Sequence, residues 1–115
     1  MSLLEKQFAF SKNLSYLLEY LRDKRYAWSM GECLRTEEQA KIYAASGKGI
    51  INSQHCKKLA VDINLFIRKD DKYALSNNKE DYREAGEYWK SLNTKNRWGG
   101  DFKSLNDPYH FEMQD

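Results

Sequence analysis

The sequence predicts an α+β fold, with about three helices packed against a small, mainly antiparallel sheet. Three observations carry that class. Apolar residues recur at spacings of three, four and seven over the first twenty residues, the pattern of an amphipathic helix. A central segment alternates aliphatic and polar residues with period two, and the last residues of the chain repeat that alternation, so both read as strands with one buried face.

Taken in order, Leu3, Leu4, Phe8, Leu14, Leu17, Leu18 and Leu21 form the apolar stripe of a helix from about Ser2 to Arg22, expected to cover the core. Tyr26 to Leu34 reads as a short strand in which Tyr26, Trp28 and Met30 alternate with smaller or polar residues and Gly31 allows a bulge. Thr36 has N-cap chemistry and Gln39 completes a capping box, which predicts a second helix over Glu37 to Ala45, closed by Gly47 and Gly49. The most regular strand runs from Leu59 to Arg68. Its aliphatic row is Leu59, Val61, Ile63, Leu65 and Ile67, and Ala60, Asp62 and Asn64 share the opposite face. Asp70-Asp71-Lys72 is a turn, with Tyr73 to Leu75 as a hairpin partner. Asn78 to Leu92 is the third helix, its inner face formed by Tyr82, Ala85, Tyr88, Trp89 and Leu92. Trp98-Gly99-Gly100-Asp101-Phe102 is a glycine-rich loop, followed by Asp107-Pro108 and a terminal strand from Tyr109 to Met113. In that strand His110 and Glu112 share one face, and Tyr109, Phe111 and Met113 the other.

Composition narrows the function. The 115 residues fit one domain spanning 1–115 and leave little room for a second. With 19 basic and 17 acidic residues the chain lacks the charge excess of a nucleic-acid binder. No stretch approaches the roughly 18 to 20 apolar residues of a membrane span, so the chain is expected not to be membrane-integral. The start, Met-Ser-Leu-Leu-Glu-Lys, has no secretory apolar stretch, so synthesis in the cytoplasm is expected. Cys33 and Cys56 allow one bridge at most, and reduced thiols are the expected state.

The chain has two histidines, His55 and His110, which limits any imidazole chemistry to them. A catalytic zinc takes three protein ligands and leaves one position open. His55, Asp62 and His110 supply such a set if the central and terminal strands are neighbours with their polar faces turned the same way. Asp107 precedes His110 by three residues, held extended by Pro108, where it is placed to accept a proton from an attacking water. Spacing alone leaves the alternative open that both histidines are ordinary hydrogen-bonded residues. The His-Glu-x-x-His helix and any Cys-x-x-Cys pair are absent.

The exact residues go further. Gly31-Glu-Cys-Leu-Arg35-Thr-Glu-Glu-Gln39, Ser53-Gln-His55, Leu59-Ala-Val-Asp62-Ile, Trp98-Gly-Gly-Asp-Phe102 and Asp107-Pro-Tyr-His110-Phe-Glu112 together resemble, in order, the M15 family of zinc peptidases. That family includes D-alanyl-D-alanine carboxypeptidases and dipeptidases, and phage endolysins that act as L-alanyl-D-glutamate peptidases. The resemblance covers about residues 28 to 112 and implies the hedgehog/DD-peptidase type of α+β fold. It makes His55, Asp62 and His110 the ligands of Zn2+ and Asp107 the catalytic base. Arg35 and Ser53 take substrate-binding roles, Arg35 also bracing the oxyanion with its fork of donors. For these two, a salt bridge to Glu38 and a loop cap are the bland alternatives.

Glu112 is read as holding a ligand's ring nitrogen or the substrate amine, against a solvated strand-end acid. Trp98, Gly99 and Gly100 are read as lining the cleft, against a tight turn packed by Trp98. Tyr109 and Phe111 are placed in the core behind the site, and Asp70-Asp71 in a solvated turn rather than a second metal site. One departure is Lys58, where many relatives carry glycine, which puts the loop after His55 in question. Cys56 is read as an idle thiol, since neighbours in an extended segment point opposite ways.

The expected function is a zinc-dependent peptidase acting on peptidoglycan stem peptides, of the phage or prophage endolysin type that cuts between L-Ala and D-Glu. A D,D-carboxypeptidase is the alternative enzyme, and a non-catalytic binding module on the same fold the alternative from another class. A monomer is expected, without a separate wall-binding domain, reaching the wall after release through a holin or another export route.

Overall fold

The computed structural model describes residues 1–31, 57–104 and 106–115. The expected helix over Glu37 to Ala45 lies outside the described residues, as do Cys33, Arg35, Ser53, His55 and Cys56.

Helix α1 (Leu3–Asp23) begins at a capping box: Ser2 Oγ accepts from the Glu5 N–H at 3.1 Å, and the Ser2 N–H donates to Glu5 Oε1 at 3.2 Å. Its buried residues are Phe10, Asn13, Leu17 and Leu21, a stripe at the three-four spacing. The expected stripe is corrected at its start. Phe8 is 63% exposed, and Leu3 and Leu4 are exposed with it. At 100° per residue Phe8 stands about 200° around the helix from Phe10, so the two cannot face the same core. Phe10 wins because its ring meets Trp89 edge-on, with centroids 5.6 Å apart.

Arg25, with φ 62°, turns the chain from α1 into β1 (Ala27–Met30), shorter than the expected strand. The central strand β2 (Ala60–Lys69) keeps the expected alternation: Val61, Ile63 and Leu65 are buried, and Asp62, Asn64 and Phe66 are half-buried on the other face. Ile67 departs from the row and is exposed, because β2 there runs beyond the core into a hairpin with β3 (Lys72–Leu75). Asp70 and Asp71, at φ 50° and 63°, form its two-residue turn, and both are exposed, as the solvated-turn reading expects.

Helix α2 (Lys79–Leu92) starts at Asn78, whose side chain accepts from the Glu80 N–H at 3.0 Å, and buries Tyr82, Ala85, Gly86 and Trp89. After it comes β4 (Asn96–Trp98), a three-residue strand that the sequence alone does not predict, then a single 3-10 turn over Gly99–Asp101 and β5 (His110–Met113). The described residues form one antiparallel five-stranded sheet in the order β1-β2-β5-β4, with β3 also paired to β2. The fold is α+β, as expected, with two helices among the described residues.

Strands β5 and β3 share one edge of β2 end to end, and a tyrosine fills the gap between them. The Leu65 N–H donates to Tyr82 Oη at 3.0 Å, and Tyr82 Oη donates to the Ser76 carbonyl at 2.9 Å. Trp89 ties α2 to the other end of the sheet, its Nε1–H shared between the carbonyls of Arg97 (3.1 Å) and Glu112 (3.0 Å). The core between helices and sheet holds Leu17, Leu21, Val61, Ile63, Tyr82, Trp89, Trp98 and Phe111. With one sheet face committed to that core, Asp62, His110 and Glu112 are left on the other.

Tyr82→Phe leaves a buried N–H and a carbonyl without partners. It is expected to cost about 1–3 kcal/mol in urea denaturation; an unchanged midpoint would refute the bridging role.

Candidate metal and catalytic site

The register of β2 against β5 sets Asp62 directly opposite His110, and residues paired this way project from the same face. The His110 Nδ1 atom lies 3.3 Å from Asp62 Oδ1. Gly31 backs Asp62 from β1's end: its N–H donates to the Asp62 carbonyl at 2.7 Å, and a Cβ on it would stand 3.0 Å from the Asp62 Cβ.

Asp107 reaches the same point through a turn rather than a strand. Its carbonyl accepts from the His110 N–H at 3.1 Å, and its Oδ1 accepts from the Tyr109 N–H at 3.2 Å, which folds the carboxylate back over the turn. The Trp98-Gly99-Gly100 segment is the mould for that turn. The Trp98 indole N–H donates to the Pro108 carbonyl at 2.8 Å, and the Asp107 N–H donates to the Gly99 carbonyl at 3.0 Å. Any side chain at Gly99 would collide with the Asp107 carbonyl, and one at Gly86 or Gly100 would collide with the Trp98 ring. Trp98 is 0% exposed. The expected place for it beside substrate is therefore corrected: its indole belongs to the core, and its part is to hold the Asp107–His110 turn from behind. Phe111 is buried there too, and Tyr109 is half-buried against it.

Glu112, two residues along the same face, is 5% exposed, so it is not a solvated strand-end acid. Its Oε1 lies 2.6 Å from His110 Nε2, and its Oε2 accepts from Arg97 Nε at 2.9 Å and from Arg97 Nη2. The structure thus gives Glu112 the ring-nitrogen contact. Arg97 is absent from the sequence reading. It stands directly opposite Glu112 in the β4–β5 register, a relation visible only once Asn96–Trp98 is recognised as a strand.

One ligand atom from each of Asp62, Asp107 and His110 lies within 4.8 Å of the other two. Carboxylate oxygens and an imidazole nitrogen are donors that zinc accepts. Two ligands about 2.0–2.1 Å from a tetrahedral zinc stand about 3.3–3.4 Å apart, and the His110–Asp62 separation of 3.3 Å fits that spacing. The other ring nitrogen of His110 sits on a carboxylate, the usual arrangement of a metal-bound histidine. The expected third ligand, His55, and the expected Arg35 and Ser53 lie outside the described residues. Lys58, near them, has φ 59°, the left-handed region that glycine favours, so the turn keeps a glycine-type backbone despite the substitution.

The electrostatics point the same way. Burial disfavours a charged His110, but its hydrogen bonds to Asp62 and Glu112 outweigh burial and lift its pKa from 6.5 to about 9. Burial likewise works against a charged Glu112, and the hydrogen bonds to His110 and Arg97 overcome it, holding Glu112 below the usual carboxylate range. Several carboxylates gathered on one imidazole make a place for a cation.

A family model described as D-alanyl-D-alanine carboxypeptidase, of the M15 peptidases, matches residues 46–113, which hold the β2 and β5 site residues. The chain belongs to the M15 peptidase family. Among solved structures, the Serratia marcescens L-Ala D-Glu endopeptidase ChiX superposes with a TM-score of 0.71 at 21% identity, over 91% of this chain and 77% of that one. That likeness shows this M15 chain to share the fold. A search of curated proteins finds no match. Among the described residues, no helix is long and apolar enough to cross a membrane.

A raised folded-state pKa on His110 means that its charge stabilises the fold fully below pH 6.5 and that this stabilisation is lost as pH rises to about 9. Thermal melts of the metal-free protein in chelator are expected to fall over that window, and the slope should flatten in His110→Gln. A divalent metal taking the place of the proton on His110 at pH 7 should release that proton, read as a heat that varies with buffer ionisation enthalpy. A buffer-independent heat would contradict the charged imidazole.

Proposed function

We propose that the protein is a zinc-dependent peptidase that cleaves the stem peptides of peptidoglycan between L-Ala and D-Glu. The observation that carries this reading is the convergence of Asp62, Asp107 and His110 on one sheet face of an M15 peptidase fold. Asp62 and His110, with His55 as the third ligand, would hold the metal. Zinc so bound supplies Lewis acidity, polarising the scissile carbonyl and easing deprotonation of the attacking water.

The remaining work falls to the chain's own groups. The Asp107 carboxylate accepts the proton of the attacking water and returns it to the leaving amine, a role open to a carboxylate because both histidines are committed elsewhere. Arg35 offers parallel N–H donors to the oxygen that becomes negative, and Ser53 binds the substrate backbone beside His55. Glu112 keeps His110 in place, and Gly99 and Trp98 keep Asp107 in place.

The bond chosen follows the activity for which the Serratia marcescens enzyme is named, that of an L-Ala D-Glu endopeptidase. The family model's description, D-alanyl-D-alanine carboxypeptidase, favours a second reading in which terminal D-Ala is removed. The motifs ending in Trp98-Gly-Gly and Asp107-Pro-Tyr-His110-Phe support the endolysin branch, which implies a phage or prophage lysin reaching the wall through a holin-like partner.

Digestion of purified peptidoglycan, followed by mass spectrometry of new termini with and without chelator, separates these readings. New amines on D-Glu, lost on chelation, are expected; free D-Ala would favour the carboxypeptidase, and no new termini would leave only a binding module. Asp107→Ala is expected to keep its zinc and lose about 10²–10⁴-fold in cleavage rate. Loss of zinc in that variant would make Asp107 a ligand rather than the base.

A further inference from the structure

We propose that Arg97 is a positioning residue of the metal centre, acting through Glu112 to hold His110 with Nδ1 turned toward Asp62. The inference rests on the zinc reading above and extends it to a residue outside the ligand set.

The geometry is a chain across three strands. Arg97 on β4 is directly opposite Glu112 on β5, and His110 is two residues along the same face, directly opposite Asp62 on β2. Two guanidinium nitrogens, Nε at 2.9 Å and Nη2, converge on the single oxygen Oε2 of Glu112. That leaves Oε1 to meet His110 Nε2 at 2.6 Å. An imidazole turned over about its Cβ–Cγ bond would put carbons where Nδ1 and Nε2 now sit, and lose both carboxylate contacts at once. The ring orientation is therefore set by where Oε1 stands, and Oε1 is set by the fork on Oε2.

Arg97 also reaches the same ring indirectly, through Phe102. Its guanidinium lies over Phe102, 5.5 Å from the centroid, and the Phe102 ring is 5.9 Å from that of His110. Lysine could supply the charge of Arg97 but neither the planar fork nor the stacking. The side chain is 47% exposed while that of Glu112 is 6% exposed, so substitution at 97 removes the partner without opening the core.

The test is a double-mutant cycle on zinc affinity, measured by competition with a chromophoric chelator, with folding checked separately by circular dichroism and urea denaturation in chelator. Glu112→Gln is expected to weaken zinc binding by about 10–100-fold, in the range for outer-shell partners, and Arg97→Gln by up to about tenfold. Arg97→Gln/Glu112→Gln should bind as Glu112→Gln alone does, because Arg97 acts through that carboxylate. Arg97→Lys should fall between Arg97→Gln and the parent. Long-range 1H–15N spectra of zinc-loaded parent should show His110 protonated at Nε2 only.

Parent-level affinity in Arg97→Gln, an equal further loss on the Glu112→Gln background, or a proton on Nδ1 would each overturn the proposal and leave the zinc reading standing. A parent chain that takes up no zinc would instead overturn the zinc reading, and this inference with it.

Discussion

Three antiparallel backbone pairs between β2 and β5, Ala60 with Glu112, Val61 with Phe111 and Asp62 with His110, decide which face of the sheet becomes core and which becomes site. Because side chains alternate, a slip of one residue would carry His110 and Glu112 into the space now filled by Phe111 and Met113. Val61 and Phe111 prevent that slip. Both are buried between the sheet and the helices, and Trp89 adds a bond to the Glu112 carbonyl from behind. The hydrophobic core and the polar centre are thus two sides of one register, and the stability of the first fixes the geometry of the second.

That coupling has an electrostatic cost. Asp62 and Glu112 both stand on His110, with Asp107 close by, in a region from which much of the water is excluded. Charges taken out of water need partners to offset lost hydration, and a lone carboxylate in such a place would otherwise take up a proton. Glu112 meets the requirement with two, His110 and Arg97, which is why it stays ionised at near-complete burial. In the proposed zinc centre, metal and proton would compete for the same imidazole.

Much of this frame follows from the chain read alone. Period-two alternation in Leu59 to Arg68 and in Tyr109 to Met113 puts Asp62 and His110 on polar faces, and the motifs around them place both in the M15 pattern. Elements whose position depends on partners were harder to read. Asn96–Trp98 is too short for periodicity to register, so Arg97 had no face until β5 provided one. Trp98 and its two glycines resemble a cleft lining in sequence, whereas packing against Gly86 and the Pro108 carbonyl makes them the mould of the Asp107 turn. Leu4 and Phe8 match helical spacing to each other but not to the stripe that begins at Phe10, a distinction that only the position of Trp89 settles.

The proposed zinc centre depends on this register bringing Asp62 and His110 together. Anomalous X-ray diffraction collected on either side of the zinc edge from crystals grown with zinc tests it most directly. One strong peak about 2.0–2.1 Å from both Asp62 Oδ1 and His110 Nδ1 is expected, with His110 Nε2 still on Glu112. No peak there, or zinc on Nε2 with Glu112 displaced, would contradict it.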